Sequence, residues 1–126
     1  MGITYIDAEV SNEAGVSRKV RFLVDSGAAY SVLPEEVWRA LGLEPSRRVD
    51  FALADGTIIE RDVSHCYFEF GDVRAPSPVV LGEAEDAALL GTVTLENMGL
   101  VLDPFRRTLR PARLKLAPVG PPAAGA

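Results

Sequence analysis

A mostly β fold that closes into a barrel, with two short helices and one projecting hairpin, is the architecture this sequence predicts. Three observations carry that prediction. Short runs with apolar residues at every second position recur along the chain, separated by turn residues, which is the pattern of half-buried strands. Two stretches alone, one opening at Pro34 and one running to Met98, read as helices, and both are short. One Asp-Gly pair, Asp55-Gly56, sits between two alternating runs, a strong hairpin signal because the turn needs positive φ. Many short strands with little helix fit a closed barrel.

Each element follows from its residues. Thr4 to Val10 puts Ile6, Ala8 and Val10 on one face and Tyr5, Asp7 and Glu9 on the other. Ser11 to Ser17 is a polar turn, and Lys19 to Val24 returns with Val20, Phe22 and Val24 inward. Ser31-Val32-Leu33 is a short strand. Pro34 then opens a helix whose first turn holds Glu35 and Glu36, whose Val37 and Leu41 share a face, and which Gly42 stops. Trp38 on this helix is a packing residue. Val49, Phe51 and Leu53 alternate up to the Asp55-Gly56 turn, and Ile58 to Val63 runs back. Cys66, Phe68 and Phe70 form a further apolar face before a Gly71-Asp72 turn. Pro76-Ser77-Pro78 is expected to break the chain before Val79-Val80-Leu81. Glu83 to Asp86 is an exposed acidic loop. Leu89-Leu90-Gly91, the second helix, its stop at Gly99, and Leu100-Val101-Leu102 complete the core, and Arg107 to Arg110 is a last strand. One domain is expected over residues 1–116, with 117–126, all Pro, Gly and Ala but for Val119, as a disordered tail.

Composition narrows the function. The 126 residues make one domain able to bury a core, and 48% hydrophobic with 25% charged residues is an ordinary soluble balance. No apolar run approaches the roughly 18 residues of a membrane span. The start has no basic region leading into an apolar core, so no secretory signal is visible, and Ile6 stands where a myristoylation site needs Ser or Thr. Cys66 alone excludes an internal disulfide and fits a reducing, cytoplasmic setting. His65 beside it leaves too few ligands for a metal site, and no nucleophile motif accompanies it for a Ser-His-Asp triad. A net charge of −5 argues against nucleic acid as a partner. The charge is uneven: all 18 acids lie at or before Asp103, while Arg106, Arg107, Arg110, Arg113 and Lys115 follow with no acid among them. Those cations read as guards of a solvated edge strand.

The stretch that carries chemistry is Val20 to Pro34. The apolar run Phe22-Leu23-Val24 leads directly into Asp25-Ser26-Gly27 and then Ala28. A carboxylate at the end of a buried strand is costly for stability unless it finds partners or shifts its pKa. Gly27 allows a tight turn and the close approach of another molecule, and Ser26 adds a small hydroxyl.

Asp25-Ser26-Gly27-Ala28 after three apolar residues resembles the active-site loop of the aspartic peptidases, and the single-lobed retropepsins fit best. Their second signature, two apolar residues and a Gly before a short helix late in the chain, is matched by Leu89-Leu90-Gly91. The resemblance runs from about Ile3 to Leu116 and is closest to the cellular prokaryotic members. It implies an acid-protease-type barrel, a flap hairpin with Asp55 and Gly56 at its tip, and no cofactor. It also implies an endopeptidase acting on peptide or protein substrates. Asp25 would be the catalytic carboxylate, Ser26 a cross-link between loops, Gly27 a backbone contact to substrate, and Leu89, Leu90 and Gly91 the backing of the loop. With one Asp-Ser-Gly per chain, the second carboxylate would come from another copy across a two-fold axis. Ser in place of the commoner Thr keeps the hydroxyl. The basic ending departs from the apolar terminal strands of viral dimers and leaves the dimer interface open. The alternative is a non-catalytic module that uses the same groove to bind peptides or to dimerise.

Overall fold

Strand alternation buries one face of each run, and in a computed structural model describing residues 3–117 those faces converge on one interior. Among the described residues the order is β1 (Tyr5–Ser11), β2 (Ser17–Val24), β3 (Ser31–Leu33), α1 (Glu35–Ala40), β4 (Arg47–Ala52), β5 (Ile58–Phe70), β6 (Val73–Leu81), β7 (Leu89–Leu90), α2 (Thr92–Met98), β8 (Leu100–Asp103) and β9 (Thr108–Pro111). The main sheet runs β1-β2-β7-β3-β6-β5-β4, and a further β1–β5 pairing closes β1, β2, β7, β3, β6 and β5 into a ring. The expected closed arrangement is therefore present. Among the described residues β8 and β9 form a separate two-stranded sheet.

The interior is the expected set of faces. Ile6, Ala8 and Val10 from β1 and Val20, Phe22 and Val24 from β2 are buried, with Cys66 and Phe68 from β5 against them. The Phe22 and Phe68 rings meet 5.6 Å apart. His65 and Cys66 point to opposite sides, His65 exposed and Cys66 buried. Trp38 packs beside the core and donates its indole N–H to the Gly82 carbonyl at 2.7 Å.

Four expectations need correction. The runs before and after Ser64 are one continuous strand, β5. Its edge is shared: β4 pairs with residues 58–63 and β1 with residues 67–69, while β6 takes the other edge. That sharing is why the first half of β5 leaves the ring as a hairpin with β4. Pro76-Ser77-Pro78 does not break the chain but lies inside β6. The Asn97 side chain donates to the Pro76 carbonyl at 3.2 Å, so that edge of β6 faces α2 rather than β5. Pro78, two residues on, points the same way, and neither proline costs a ladder hydrogen bond. Finally, Val101 turns outward, and only Leu100 of its run is fully buried. The last strand starts one residue late because Arg107, at φ 52°, closes the turn before it. The expected tail from residue 118 lies outside the described residues.

Candidate active site

β2 ends at Val24, and the chain turns away at Asp25. Two backbone bonds fix that point: Leu23 N–H donates to Ala88 O at 2.9 Å, and Asp25 N–H to Leu90 O at 3.0 Å. β7 thus lies parallel to the end of β2 and sets where the carboxylate emerges. Gly27 N–H donates to Asp25 Oδ1 at 2.9 Å, and Ala28 N–H to Asp25 O at 3.2 Å. Gly27 is not in the left-handed region; its contribution is this donor and the absence of a side chain, since a Cβ would lie 3.3 Å from the same oxygen.

The loop then docks on α2. The first amides of a helix have no partner inside it, and Gly91 offers no side chain to cap them. Ala28 O and Ala29 O accept from Thr92 N–H and Val93 N–H, each at 2.9 Å, so the loop caps the helix and the helix holds the loop. Gly91 is required by proximity: a Cβ there would meet Ala29 O at 2.6 Å and Tyr30 C at 2.6 Å. Asp25 to Ala28 and Leu89 to Gly91, predicted separately, therefore form one assembly.

Asp25 is half-buried and opens onto a cleft of about 750 Å³. Its walls are Ala28, Tyr30, Val32, Val80 and Leu89 on one side and Phe51, Leu53, Ala54 and Ile59 from the β4–β5 hairpin on the other. Asp50, Arg61 and Asp86 also line it, and Asp86 Oδ2 already accepts from Glu83 N–H at 2.7 Å. No second carboxylate is hydrogen-bonded to Asp25 among the described residues. A smaller hollow of about 350 Å³ between α1 and β5 does not include Asp25.

The hairpin tip is a three-residue loop, Ala54-Asp55-Gly56. Gly56 N–H donates to Leu53 O at 2.9 Å and Leu53 N–H to Thr57 O at 2.7 Å. The positive φ falls on Gly56 alone, at 87°, which makes a type I turn closed by a bulge rather than a two-residue turn. Asp55 Oδ1 accepts from Thr57 N–H at 2.9 Å, and the Thr57 hydroxyl and amide hold the Asp55 carboxyl below its usual range. Asp55 and Gly56 do not line the cleft; Leu53 and Ala54 do. Ser26 is exposed and outside the cleft lining.

Two features escaped the sequence reading. Tyr30 joins the loop to the hairpin: its hydroxyl accepts from Arg47 Nη2 at 2.8 Å, and its ring meets Phe51 edge-on at 5.6 Å. No local pattern marks it, because both partners lie on β4. The other is a buried group of hydroxyls, Ser31, Ser77 and Thr94, behind Gly91. No cluster of potential metal ligands occurs among the described residues.

No curated protein matches the chain. Among solved structures it is similar to a retropepsin-like aspartic protease from Rickettsia conorii, at 29% identity over 81% of this chain and 85% of that one, with a TM-score of 0.45. The model of the family described as gag-polyprotein putative aspartyl protease matches residues 12–97, from the β1–β2 turn through α2. That match spans more than half of the chain, so the protein belongs to this aspartyl protease family, as Asp25-Ser26-Gly27 and Leu89-Leu90-Gly91 together implied.

Proposed function

We propose that the protein is a homodimeric aspartic endopeptidase in which Asp25 and the same residue of a second copy activate water. The supporting observation is the setting of Asp25: a half-buried carboxylate at the mouth of a cleft, on a loop whose backbone is bonded to residues 90, 92 and 93. Hydrolysis of an amide without metal or covalent nucleophile needs a base for the water and an acid for the carbonyl. Two carboxylates about 3 Å apart cannot both ionise easily, so the pair holds one proton and supplies both roles. The ionised member takes a proton from water as its oxygen attacks the carbonyl carbon. The protonated member donates to the carbonyl oxygen, and the proton taken from water then goes to the departing nitrogen. The pair titrates as a unit, so neither role belongs to one copy.

The substrate would be an extended peptide or protein segment lying between the Asp25 loop and the β4–β5 hairpin, with the hairpin as a flap. The mainly apolar walls favour apolar side chains beside the bond that is cut. A cytoplasmic location is supported by the unpaired thiol of Cys66.

The test is cleavage of one peptide by the parent protein and by Asp25→Asn, with circular dichroism to check folding. Activity should fall about a thousandfold, because the base is gone, while the fold persists. The parent should show a bell-shaped pH profile, and its activity per chain should drop on dilution as the dimer dissociates. Equal cleavage by both proteins would remove Asp25 from the chemistry. Constant specific activity in a species shown to be monomeric would remove the dimer. Peptide binding without cleavage would favour the binding-module alternative.

A further inference from the structure

Behind the Asp25 loop, three hydroxyls from three elements lie out of contact with water: Ser31 of β3, Thr94 of α2 and Ser77 of β6, exposed by 0%, 0% and 2%. Ser31 Oγ is 2.5 Å from Thr94 Oγ1, which is 2.8 Å from Ser77 Oγ. Both ends of this row are fixed by backbone. Gly91 N–H donates to Ser31 Oγ at 2.9 Å, and Ser77 Oγ donates to Pro78 O at 3.1 Å.

An amide can only donate, a carbonyl can only accept, and each hydroxyl has one proton. Ser77 spends its proton on Pro78 O, so Thr94 must donate to Ser77 and Ser31 must donate to Thr94. The row therefore runs one way, from Gly91 N–H through Ser31, Thr94 and Ser77 to Pro78 O. Among the described residues no buried side-chain N or O atom lacks a hydrogen-bond partner. Apolar side chains of similar volume could fill this space without such demands. A saturated polar row instead specifies one arrangement of the elements it joins.

Those elements meet at the site. Gly91 lies between Leu90, whose carbonyl takes the Asp25 amide, and Thr92, whose amide is taken by Ala28 O. We propose that Thr94 is a positioning residue. Through Ser31 it holds Gly91, and through Gly91 it sets the depth and orientation at which Asp25 is presented. Thr94 is fully buried and does not line the cleft. The inference rests on the reading of Asp25 as the reacting carboxylate, but its structural half can be measured without catalysis.

Thr94→Val keeps the shape and cuts the row at its centre; Thr94→Ser keeps the hydroxyl. Steady-state cleavage and amide hydrogen exchange by NMR are measured on both. Thr94→Val should lower kcat by about tenfold or more with KM changed less than about twofold, since orientation rather than binding is lost. Exchange at the Asp25 and Gly91 amides should speed up by at least about tenfold while the amides of Ala8 and Phe22 keep their rates. Thr94→Ser should restore both readouts. If Thr94→Val does not fold, Ser77→Ala, which removes the last two links and leaves those from Gly91 to Thr94, decides with smaller changes in the same direction. Unchanged exchange at Gly91, or acceleration spread evenly over β1 and β2, overturns the proposal. A parent without peptidase activity would overturn the reading of Asp25 instead, and exchange at Gly91 would still decide the role of Thr94.

Discussion

On one side of the cleft, the Asp25 loop gives its carbonyls to the first amides of α2 and its amide to β7, against a glycine that admits no Cβ. On the other side, the β4–β5 hairpin leaves the ring with residues 52–58 exposed. It is tied down by side chains at its base. Arg61 reaches Glu83 at 3.3 Å and Arg47 reaches Tyr30, while Arg48 pairs inside the hairpin with Glu60 at 3.2 Å and Asp62 at 3.0 Å. Exposed pairs of this kind contribute about 0–1 kcal/mol each. The Asp25 loop is held by backbone bonds to β7 and α2, whereas the hairpin is held to its neighbours through exposed side chains. The two walls therefore differ in how they are held, and on the proposed reading the hairpin is the side that opens to admit substrate. A peptidase of the proposed kind needs both.

The comparison can be broken from its loop side. Gly91→Ala places a methyl within 2.7 Å of three backbone atoms of residues 29 and 30, which cannot rotate away. It should destabilise the fold by about 3 kcal/mol in urea melts and remove most activity, because overpacking against backbone forces the loop itself to shift.

The hairpin side should respond differently. No atom lies within 4 Å of a Cβ built on Gly56, so Gly56→Val meets only the strain of positive φ. Stability should change by about 1–2 kcal/mol at most, while kcat/KM falls about tenfold or more if the hairpin closes over substrate. Retained activity would mean that the hairpin is not a working flap.

The two regions should also separate by pH. Burial pushes the Cys66 thiol inside the ring up to about 12, whereas the unfolded thiol ionises near 9. Between those values the unfolded chain releases a proton that the folded chain keeps. Stability is therefore full below about pH 9 and falls above it, by up to about 1.4 kcal/mol per pH unit. Cys66→Ala should flatten that alkaline slope in denaturant melts. At the hairpin tip the sign reverses. The Asp55 carboxyl is held below its usual range by Thr57, so the order it supports is present at neutral pH and is lost as pH falls through the lowered value. The Thr57 amide shift should follow that titration while core amides stay still.

The smallest effect is expected where the walls touch. Tyr30→Phe removes one partly solvated hydrogen bond to Arg47 and keeps the ring against Phe51. Stability should change by less than about 1 kcal/mol, with an altered KM as the hairpin loosens.

Much of this was legible locally. The inward faces of β1 and β2 follow from alternation, because side chains on a strand point to opposite sides every residue. The Asp25 turn and the Gly56 loop follow from residue types that such turns require. Besides the start of the last strand, two strand boundaries were misjudged. Pro76 and Pro78 look like breaks until their edge of β6 is known, and Ser64-His65 looks like a gap until Ser64 is seen to be buried. Tyr30 and the Ser31–Thr94–Ser77 row were invisible, since their partners lie 17 to 63 residues away in the chain.

By itself, then, the sequence determined which faces are apolar, where the chain turns, and that Asp25 follows a buried strand beside a small hydroxyl and a glycine. Those properties depend on neighbours within a few residues, where backbone sterics and periodicity act. The tertiary structure alone decided that β5 divides its edge between β1 and β4, releasing a hairpin from the ring. It also decided that Gly91 touches Tyr30 and that three distant hydroxyls meet in one directed row. Those outcomes depend on which surfaces come within hydrogen-bond or van der Waals range, and only the closed ring brings them there.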